Sequence, residues 1–527
     1  MGRYFNSGYE GFKEISKRGY VDKTGIIGLI NDRIGTSEKL ICISRPRRFG
    51  KSFAAKTLCA YYDCSVDSHE LFDRFEIAKS ADYASHLNKY FVIRLDMTEF
   101  TSLAKENHFS FDEIPDRIEC AVKKELLDEY SQLTDSPFLT DVISDLVKLR
   151  KTRVIFIIDE WDAPIRESNS YTAEEKYLSF LRRLFKNNTF TSECIAAAYM
   201  TGILPIKKIK SQSAISDFRE YTALAPGKFA EYIGFNESDI HMICNKYGLD
   251  FEKMKQWYDG YTFGNAADIY NPYSVMCAAD LKQYGSYWKK TSAAGSLAEY
   301  LDMNFEGLQD EIIRLIRGEE IKVDTDEFQN DFATFTSKDD VLTLLIHFGY
   351  LTYCSETHLA RIPNEELRSE FRSMLKRVKN PKLAALFADS KKTLGDTLAG
   401  NEKNVAEALD KLCGTNYAPQ YYNGEQALRS VIKLAYLAAV DHYIKIEELP
   451  SGKGLADIVY IPQRGSQYPA LIVEMKWNKS EESAISQIKQ KNYPAVLQNY
   501  GGEILLVGIN YDLKEKNHQC SIERAEL

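Results

Sequence analysis

The sequence of 527 residues lacks the signals of several large classes of protein. It has no run of about 18 apolar residues, the length that a membrane-spanning helix needs, and its N-terminus has no apolar signal-peptide core. Its ten cysteines are scattered singly, without a C-x-x-C pair, so neither zinc ligation nor a disulfide framework is indicated. We therefore expect a cytoplasmic protein that makes no membrane contact.

The chain also lacks an excess of basic charge. Its formal net charge is -9 at pH 7, which argues against a surface that coats nucleic acid electrostatically but is compatible with a local basic groove. A hydrophobic fraction of 44% and a charged fraction of 27% are typical of a soluble globular protein. Because a chain of this length exceeds one ordinary hydrophobic core, we expect about three domains.

Three regions differ in their pattern of apolar residues. Between about residue 40 and residue 203, β-rich apolar runs alternate with helical patterns, as in a parallel sheet that is covered on both faces. The following region shows amphipathic helices and few convincing strands. The C-terminal region has two strand-like runs, LADIVYIP and ALIVEMKW, then a helix and a last strand, EILLVGIN. We predict an α/β domain over 1–229, a helical region over 230–395 and a small α/β domain over 396–527.

The stretch ISRPRRFGKSF, residues 43–53, ends like a phosphate-binding loop. Gly50, Lys51 and Ser52 follow the strand-like run LICIS and open a helical pattern, in the strand, loop and helix order that such a loop requires. Backbone N–H groups at the helix start would hold the phosphates, Lys51 would reach the outer phosphates of ATP, and Ser52 would hold Mg2+. Arg45 stands where the motif G-x-x-x-x-G-K-[ST] has its first glycine, so an ordinary helix start is the alternative interpretation.

A second motif supports the nucleotide site. The run RVIFIIDEWD is an apolar strand that ends in Asp159 and Glu160. Such a strand end would deliver Asp159 to the Mg2+ shell and Glu160 to the attacking water. Thr201, at the end of the run CIAAAYMTG, would sense the γ-phosphate from a neighbouring strand or would be an ordinary strand-end threonine. The two motifs together predict an ATP site.

The arginines of the loop allow two interpretations. Arg45, Arg47 and Arg48 would contact phosphate or a neighbouring subunit, or they would be solvated loop charges. A homo-oligomer is compatible with this general type of ATPase, although the sequence nominates no arginine that a neighbouring copy would contribute.

Charged residues end the strand-like runs of the C-terminal region. Asp457 lies on one run, and Glu474 and Lys476 lie on the next, on one face because side chains alternate along a strand. The carboxylates would hold Mg2+, and the lysine would orient water and offset developing charge in phosphodiester cleavage. Glu425, at the start of the helix EQALRSVIKLAY, would complete the metal shell. A surface ion pair is the alternative, but the apolar run ALIV leads into Glu474 and indicates a buried strand end.

Several motifs spread over nearly the whole chain resemble one family. They are YVDKT, RPRRFGKS, IIDEWDAPI, MTGILPIKK, WYDGYTFG, YNPYSV and the pair GKGLADIVYIP and ALIVEMKW. These motifs resemble those of bacterial proteins that join an AAA-ATPase-like domain to a PD-(D/E)XK nuclease domain. The resemblance implies a P-loop NTPase sheet with helices, a helical middle or lid region, and a restriction-endonuclease-like α/β domain at the C-terminus.

The resemblance also assigns residues. The loop of that family is commonly written RPRRFGKS, which makes Arg45 the family's own variant and includes Phe49 in the nucleotide loop. Gln487 and Tyr493 match the family's Q-x5-Y helix and would position the lysine or the substrate backbone. In WYDGYTFG, an aromatic-rich helix end closed by Gly260, a structural role in seating the helical region is favoured over substrate contact.

Two functions of different classes follow from these observations. The first is an ATP-hydrolysing protein whose nucleotide state controls a Mg2+-dependent nuclease acting on DNA or, as a second choice, RNA. The alternative is a nucleotide-switched regulatory or scaffold protein whose nuclease fold is a recognition module that does not cleave. The acidic net charge and the lack of a basic cluster around Asp457 in the sequence favour the alternative slightly. The pairing of ATPase with nuclease suggests a role in defence or mobile-element biology.

Overall fold

The chain divides into two compact units, each assembled from two separate stretches. The computed structural model describes residues 2–17, 19–168, 170–186, 188–206, 208–209, 212–213, 215, 217–288, 303, 305–326, 328, 335–375, 381–416, 422–451, 454–462, 468–490 and 502–525. The first unit comprises Met1–Tyr287 and Lys322–Glu365, and the second comprises Trp288–Ile321 and Glu366–Leu527. Among the described residues, no helix combines the length and apolar character needed to cross a bilayer.

Strands and helices are numbered here in chain order. The strands are β1 (Leu40–Ser44), β2 (Phe91–Asp96), β3 (Val154–Asp159), β4 (Ile195–Gly202), β5 (Lys208–Ile209), β6 (Gln212–Ser213), β7 (Arg219–Tyr221), β8 (Tyr261–Phe263), β9 (Ala266–Ile269), β10 (Ile321–Lys322), β11 (Thr352–Cys354), β12 (Leu359–Arg361), β13 (Tyr443–Ser451), β14 (Gly454–Pro462), β15 (Ala470–Trp477), β16 (Ile504–Asp512) and β17 (Asn517–Ala525). The α-helices are α1 (Tyr9–Ser16), α2 (Gly25–Asn31), α3 (Lys51–Tyr62), α4 (His69–Phe72), α5 (Tyr83–His86), α6 (Met97–Glu106), α7 (Ile114–Glu129), α8 (Leu139–Arg150), α9 (Ala163–Arg166), α10 (Tyr171–Phe185), α11 (Asn188–Cys194), α12 (Glu237–Tyr247), α13 (Phe251–Tyr258), α14 (Pro272–Leu281), α15 (Leu308–Arg317), α16 (Lys338–Phe348), α17 (Glu365–Leu375), α18 (Pro381–Leu398), α19 (Glu402–Asn416), α20 (Glu425–Ala435) and α21 (Glu481–Gln490).

The first unit is built on a five-stranded parallel sheet. Its strand order is β2-β3-β4-β1-β7, so β4 lies between β3 and β1. Ile43 pairs with Thr201 across β1 and β4, and Ile158 pairs with Met200 across β3 and β4. The three strands therefore end side by side, and this brings the loop after β1 close to the acidic end of β3.

Both faces of this sheet are buried. Along β1, Leu40 and Cys42 belong to one hydrophobic cluster, and Ile41 and Ile43 belong to another. Because strand side chains alternate between faces, the two clusters are the cores on the two sides of the sheet. This explains why the strands read as continuous apolar runs, and it confirms the predicted α/β sheet covered by helices.

Helices dominate the middle of the chain, and two short antiparallel pairs, β8–β9 and β11–β12, lie among them. The sequence did not indicate these pairs, because each of their strands has only three or four residues. Gly260 precedes β8 with a φ of 92°, and a Cβ added there would lie 2.2 Å from the Pro363 carbonyl oxygen. Tyr261 then donates a hydrogen bond to the Gly349 carbonyl at 2.8 Å. The WYDGYTFG segment is thus packed within the first unit.

The second unit carries a five-stranded mixed sheet in the order β13-β14-β15-β16-β17. Its pairs are antiparallel except β15–β16, which is parallel. The helix α21 covers one face, where Ile485 and Ile488 join Ile472 and Leu506 in one cluster. This sheet confirms a C-terminal α/β domain that is consistent with the nuclease fold.

Three edge strands escape the sequence pattern. Of the four outermost strands of the two five-stranded sheets, β7, β13 and β17 carry charged or polar residues between their apolar ones, as in YIKIEELPS and NHQCSIERA, whereas β2 reads FVIRLD. An edge strand has one neighbour and is commonly kept polar, and these three strands therefore show no continuous apolar run. The strand EILLVGIN, expected to be the last, is therefore followed by β17.

Candidate nucleotide site and nuclease-like site

The loop between β1 and α3 has the geometry of a phosphate-binding loop. Gly50 adopts a left-handed conformation with a φ of 93°, and α3 begins at the next residue, Lys51. The Lys51 ammonium donates to the carbonyl oxygens of Arg45 at 3.0 Å and Pro46 at 3.1 Å, and lies 3.3 Å from Glu160 Oε1. The lysine is therefore held by its own loop and by the end of β3.

A cavity of about 500 Å3 opens over this loop. Its polar lining includes Lys51, Ser52 and Glu160, together with the backbone of Gly50. Its apolar walls come from three segments distant in sequence, and they include Tyr20, Val21, Tyr232, Phe235, Pro272, Tyr273 and Met276. Polar groups beside aromatic walls suit a nucleoside phosphate, which has a charged phosphate part and an aromatic base. Sequence reasoning did not assign these walls, although YVDKT and YNPYSV were among the motifs that carried the resemblance.

The acidic end of β3 is organised by Thr201. The Thr201 hydroxyl donates to Asp159 Oδ1 at 2.5 Å and accepts from the Glu160 N–H at 3.2 Å. Glu160 has a left-handed backbone with a φ of 51°, a conformation that non-glycine residues rarely adopt outside constrained sites. Asp159 and Thr201 are buried and do not line the cavity within the described part of the chain, whereas Glu160 does.

Two further residues complete this network, and sequence reasoning missed both. Arg166 Nη2 donates to Glu160 Oε2 at 3.0 Å, and its Nε donates to Asp162 Oδ2 at 2.7 Å. Burial alone would lower the pKa of Arg166, but Asp162 and Glu160 raise it above its ordinary value. The spacing of Asp162 and Arg166 on one helical turn was the available signal, since residues four apart are neighbours on a helix.

The arginine that replaces the first glycine points into the protein. Arg45 is fully buried, and its Nη1 donates to the carbonyls of Ser44 at 3.1 Å, Tyr221 at 3.3 Å and Thr222 at 2.6 Å. Its guanidinium lies 5.0 Å from the centre of the Phe263 ring. Burial lowers the pKa of Arg45 to about 9, which leaves it charged at neutral pH. A solvated loop charge, one of the roles considered for Arg45, does not describe this buried position.

The remaining loop residues occupy different environments. Arg48 lines the cavity, with its guanidinium 3.9 Å from the Tyr273 ring centre and Nη1 donating to the Tyr287 carbonyl at 2.8 Å. The Phe49 side chain is fully buried and packs edge-on against Tyr261 at 4.9 Å between ring centres. Arg47 is partly exposed. Of Arg47, Arg48 and Phe49, only Arg48 places a charged group at the cavity.

The candidate nuclease residues lie where β14 and β15 separate. The ladder ends at the pair Ile458–Val473, and Asp457 and Glu474 are the next residues on the two strands. Asp457 Oδ2 accepts a hydrogen bond from the Met475 N–H at 2.8 Å. The Asp457 side chain therefore accepts the hydrogen bond of a backbone N–H that has no partner in the ladder, and it lies beside Glu474.

Lys476 and Gln487 both contact Glu474. Lys476 Nζ lies 3.0 Å from Glu474 Oε1, as expected for two side chains on one face of β15. Gln487, on α21, donates to the same oxygen. Glu474 is only 1% exposed, so these contacts stabilise a buried charge. Tyr493, the other residue of the Q-x5-Y pattern, lies outside the described residues.

A basic cluster adjoins Asp457, contrary to the impression from the sequence. Arg429 Nη2 lies 3.3 Å from Asp457 Oδ1, and Arg429, Lys433 and Lys445 surround Glu447. Burial would raise the pKa of Glu447, but Lys445 and Lys433 lower it to about 2. The cluster is not recognisable in the sequence, because Arg429 and Lys433 lie on α20 and Lys445 lies on β13, and these elements come together only in the folded unit.

The residues fit a metal only in part. Asp457 and Glu474 supply the hard oxygen ligands that Mg2+ prefers. Glu425 is exposed at the start of α20, and no described contact joins it to either carboxylate. No group of three or more potential metal-ligating His, Cys, Asp or Glu side chains occurs among the described residues. A metal here would therefore need water or substrate oxygens to complete its shell.

Comparisons with known proteins match the two domains that carry these candidate sites. Residues 6–210 match the sequence profile of a family described as predicted AAA-ATPase, and residues 423–520 match that of the PD-(D/E)XK nuclease superfamily. An uncharacterized protein in the vnfD 5' region of Azotobacter chroococcum mcd 1 is 20% identical over 512 residues, which are 93% of this chain and 92% of that protein.

Solved structures resemble the chain more distantly. The Aeropyrum pernix ORC2 protein in its ADPNP–ADP complexes has a TM-score of 0.31 and 10% identity, covering 69% of this chain and 98% of that one. C. elegans PCH-2 has a TM-score of 0.21 and 12% identity, covering 51% of this chain and 55% of that one.

Proposed function

We propose, from the match of residues 6–210 to an AAA-ATPase-like family and of residues 423–520 to the PD-(D/E)XK nuclease superfamily, that this chain binds and hydrolyses ATP. We further propose that the nucleotide state controls the C-terminal domain, which acts as a Mg2+-dependent nuclease on nucleic acid, with DNA as the first candidate.

The observation that carries the ATPase proposal is the shared cavity of Lys51 and Glu160. Lys51 would exchange its loop carbonyls for the outer phosphates, because phosphate oxygens are stronger acceptors for an ammonium than neutral carbonyls. Glu160 would then orient the attacking water from its position beside Lys51. The aromatic walls would hold the base and ribose.

A divalent cation would be held at this site by Ser52, which lines the cavity, and Asp159, which is one residue from Glu160. When bound, Mg2+ neutralises charge on the phosphates during transfer. The main adjustment expected of the protein is a movement of the buried Asp159 carboxylate towards the cavity.

Substitution of Lys51 tests the ATPase proposal. In the purified full chain, Lys51→Ala should lower ATP turnover at least about 100-fold, because the outer phosphates lose their cation. Lys56→Ala is the matched control, since Lys56 lies on the same helix and does not line the cavity. Turnover by Lys51→Ala at the wild-type rate would contradict the site.

The nuclease proposal is supported by Asp457, Glu474 and Lys476 at one end of β14 and β15. Asp457 and Glu474 would hold Mg2+, and Lys476 would orient water while its ion pair with Glu474 loosens on metal binding. A defence or mobile-element role is a further part of the proposal, and the neighbouring genes would test it.

A cleavage panel tests the nuclease proposal. Wild type, Glu474→Ala and Lys476→Ala are compared on plasmid and single-stranded DNA and on RNA, with Mg2+ or Mn2+ and with or without ATP. Cleavage by the wild type and loss in both variants are expected, while the exposed Lys479→Ala should cleave normally. Absence of cleavage by every protein in every nucleotide state would contradict a nuclease.

A second candidate is a nucleotide-switched regulatory or scaffold protein whose nuclease fold recognises nucleic acid without cutting it. The Arg429–Asp457 contact favours this candidate, because it occupies a carboxylate that a metal would need. Nucleic-acid binding that depends on ATP and persists in Glu474→Ala, without cleavage by the wild type, would support it.

A further inference from the structure

The Glu160 carboxylate is shared between two cations. Its Oε1 lies 3.3 Å from Lys51 Nζ, and its Oε2 accepts from Arg166 Nη2 at 3.0 Å. The backbone N–H of Glu160 is bound by Thr201 at the same time. Main chain and side chain are therefore both fixed, and the two carboxylate oxygens face different partners.

Arg166 is itself held rigidly. Its Nε donates to Asp162 Oδ2 at 2.7 Å, and that oxygen also accepts from the N–H groups of Ile203 at 3.2 Å and Leu204 at 3.0 Å. Only 8% of the Arg166 side chain is exposed. The planar guanidinium thus joins Glu160 to Asp162, and Asp162 in turn binds the segment after β4. Lysine cannot reproduce this geometry, because its ammonium lacks two separate donors in a fixed plane.

Arg166 does not reach the cavity itself. Of the two residues, only Glu160 is among the described residues that line it. Any effect of Arg166 on a bound nucleotide would therefore pass through Glu160.

Nucleotide binding would leave Glu160 with only one of its two cationic partners, Lys51 and Arg166. Lys51 would turn to the phosphates, and Glu160 would lose the partner of Oε1. A carboxylate released in this way would be repelled by the triphosphate and would rotate away unless its other oxygen stayed bound. Arg166, outside the cavity and tied to Asp162, is the cation that remains.

We propose that Arg166 is the positioning residue of this ATPase site: it holds Glu160 Oε2, so that Oε1 stays directed at the attacking water once Lys51 has moved to the phosphates. The inference rests on the proposed ATP hydrolysis. It assigns to Arg166 a role in turnover and none in nucleotide affinity.

Kinetics of the purified full chain test this role. Arg166→Ala should lower kcat about 10- to 100-fold while KM, and the Kd of a fluorescent ATP analogue, change by less than about threefold. Arg166→Lys should retain an intermediate kcat, because an ammonium can keep one ion pair. Arg117→Ala is the matched control, since Arg117 pairs with Glu113 on an exposed helix face and should leave both constants unchanged.

A double-mutant comparison separates positioning from a general loss of structure. In a Glu160→Gln background, adding Arg166→Ala should cause little further loss of kcat, since the residue through which Arg166 acts is already disabled. Losses that multiply, a change confined to KM, or an unchanged kcat would each overturn the inference. If Arg166→Ala does not fold, Arg166→Lys is used in the same comparison and decides by the same outcomes.

Different results would overturn the proposed ATP hydrolysis and the proposed role of Arg166. Wild-type protein without ATP turnover would overturn both the proposed ATPase and the role of Arg166. Wild-type turnover that is abolished by Lys51→Ala but insensitive to Arg166→Ala would overturn the role of Arg166 alone.

Discussion

Arg45 stands where phosphate-binding loops of the ordinary pattern have a glycine. It serves the fold, because its guanidinium binds carbonyls at the end of β7 and packs against Phe263. Removal of this guanidinium would leave the carbonyls of Tyr221 and Thr222 without their donor, which costs free energy. The absence of the first glycine therefore reflects a packing role that the loop motif does not describe.

Restoring that glycine should weaken the protein. Arg45→Gly removes the buried contacts and leaves a cavity, so we expect the free energy of unfolding of the first unit to fall by about 2–4 kcal/mol. Urea denaturation, monitored by hydrogen exchange in peptides from β1, measures this free energy. Arg47→Gly, in the same loop and partly exposed, should lose about 1 kcal/mol or less. Equal losses would assign the effect to loop flexibility.

His347 should make stability depend on pH. Burial, together with the charge of Arg45, lowers the pKa of His347 to about 4 from its ordinary value of 6.5. Between these values the unfolded chain binds the proton and the folded chain does not. Stability is therefore complete above about pH 6.5 and is lost as the pH falls towards 4, by up to about 3 kcal/mol.

Urea midpoints of the first unit between pH 4 and pH 7.5 measure this dependence. His347→Gln should flatten the profile in that window. His241→Gln, at an exposed position, should leave it unchanged. A steep profile that survives His347→Gln would assign the acid sensitivity to other groups.

At the scale of elements, the separation of β14 from β15 creates the nuclease-like site. Two antiparallel strands normally continue their ladder, but here the Asp457 side chain replaces the backbone acceptor for the Met475 N–H. The carboxylate thus has a structural contact in addition to its proposed metal contact, and the two can be measured apart.

Asp457→Asn and Asp457→Ala should differ in stability but not in activity. Asparagine keeps an oxygen acceptor for the Met475 N–H, whereas alanine leaves that group unpaired, at about 1–2 kcal/mol. Cleavage should be lost in both variants, because neither supplies a charged ligand for Mg2+. Thermal unfolding and the cleavage assay give the two readouts, and cleavage by Asp457→Asn at the wild-type rate would contradict the metal role.

At the scale of the whole molecule, the chain crosses between its two units more than once. The second unit includes Trp288–Ile321 besides its C-terminal stretch. Within it, α18 is tied to the C-terminal end of α20: Ser390 donates to the Ala435 carbonyl at 3.0 Å, and Thr397 and Tyr436 share a hydrogen bond of 2.8 Å. The proposed boundary at residue 396 falls inside α18.

Fragments of the second unit should differ accordingly. A fragment of residues 381–527 keeps α18, whereas 396–527 loses most of it and exposes the apolar surface that the helix covers. We expect the longer fragment to be more soluble and to unfold more cooperatively, as measured by circular dichroism and hydrogen exchange. Equal behaviour would show that α18 is dispensable for this fold.

Local patterns were sufficient for much of the fold and for part of the sites. The strands β1, β3, β14 and β15 could be predicted because central strands carry unbroken apolar runs, and the loop at Lys51 because its residue types are dictated by the turn into a helix. The pairing of Glu474 with Lys476 followed from strand alternation. Each of these features depends on neighbours within a few residues.

The sequence by itself therefore determined the fold class, the phosphate-loop pattern and the carboxylate–lysine pair of the C-terminal sheet. Only the tertiary structure decided that Arg45 is buried, that Arg166 shares Glu160 with Lys51, and that a basic cluster adjoins Asp457. The physical reason is that backbone hydrogen bonding and side-chain alternation act locally, whereas ion pairs, cavity walls and buried charges depend on which distant segments pack together.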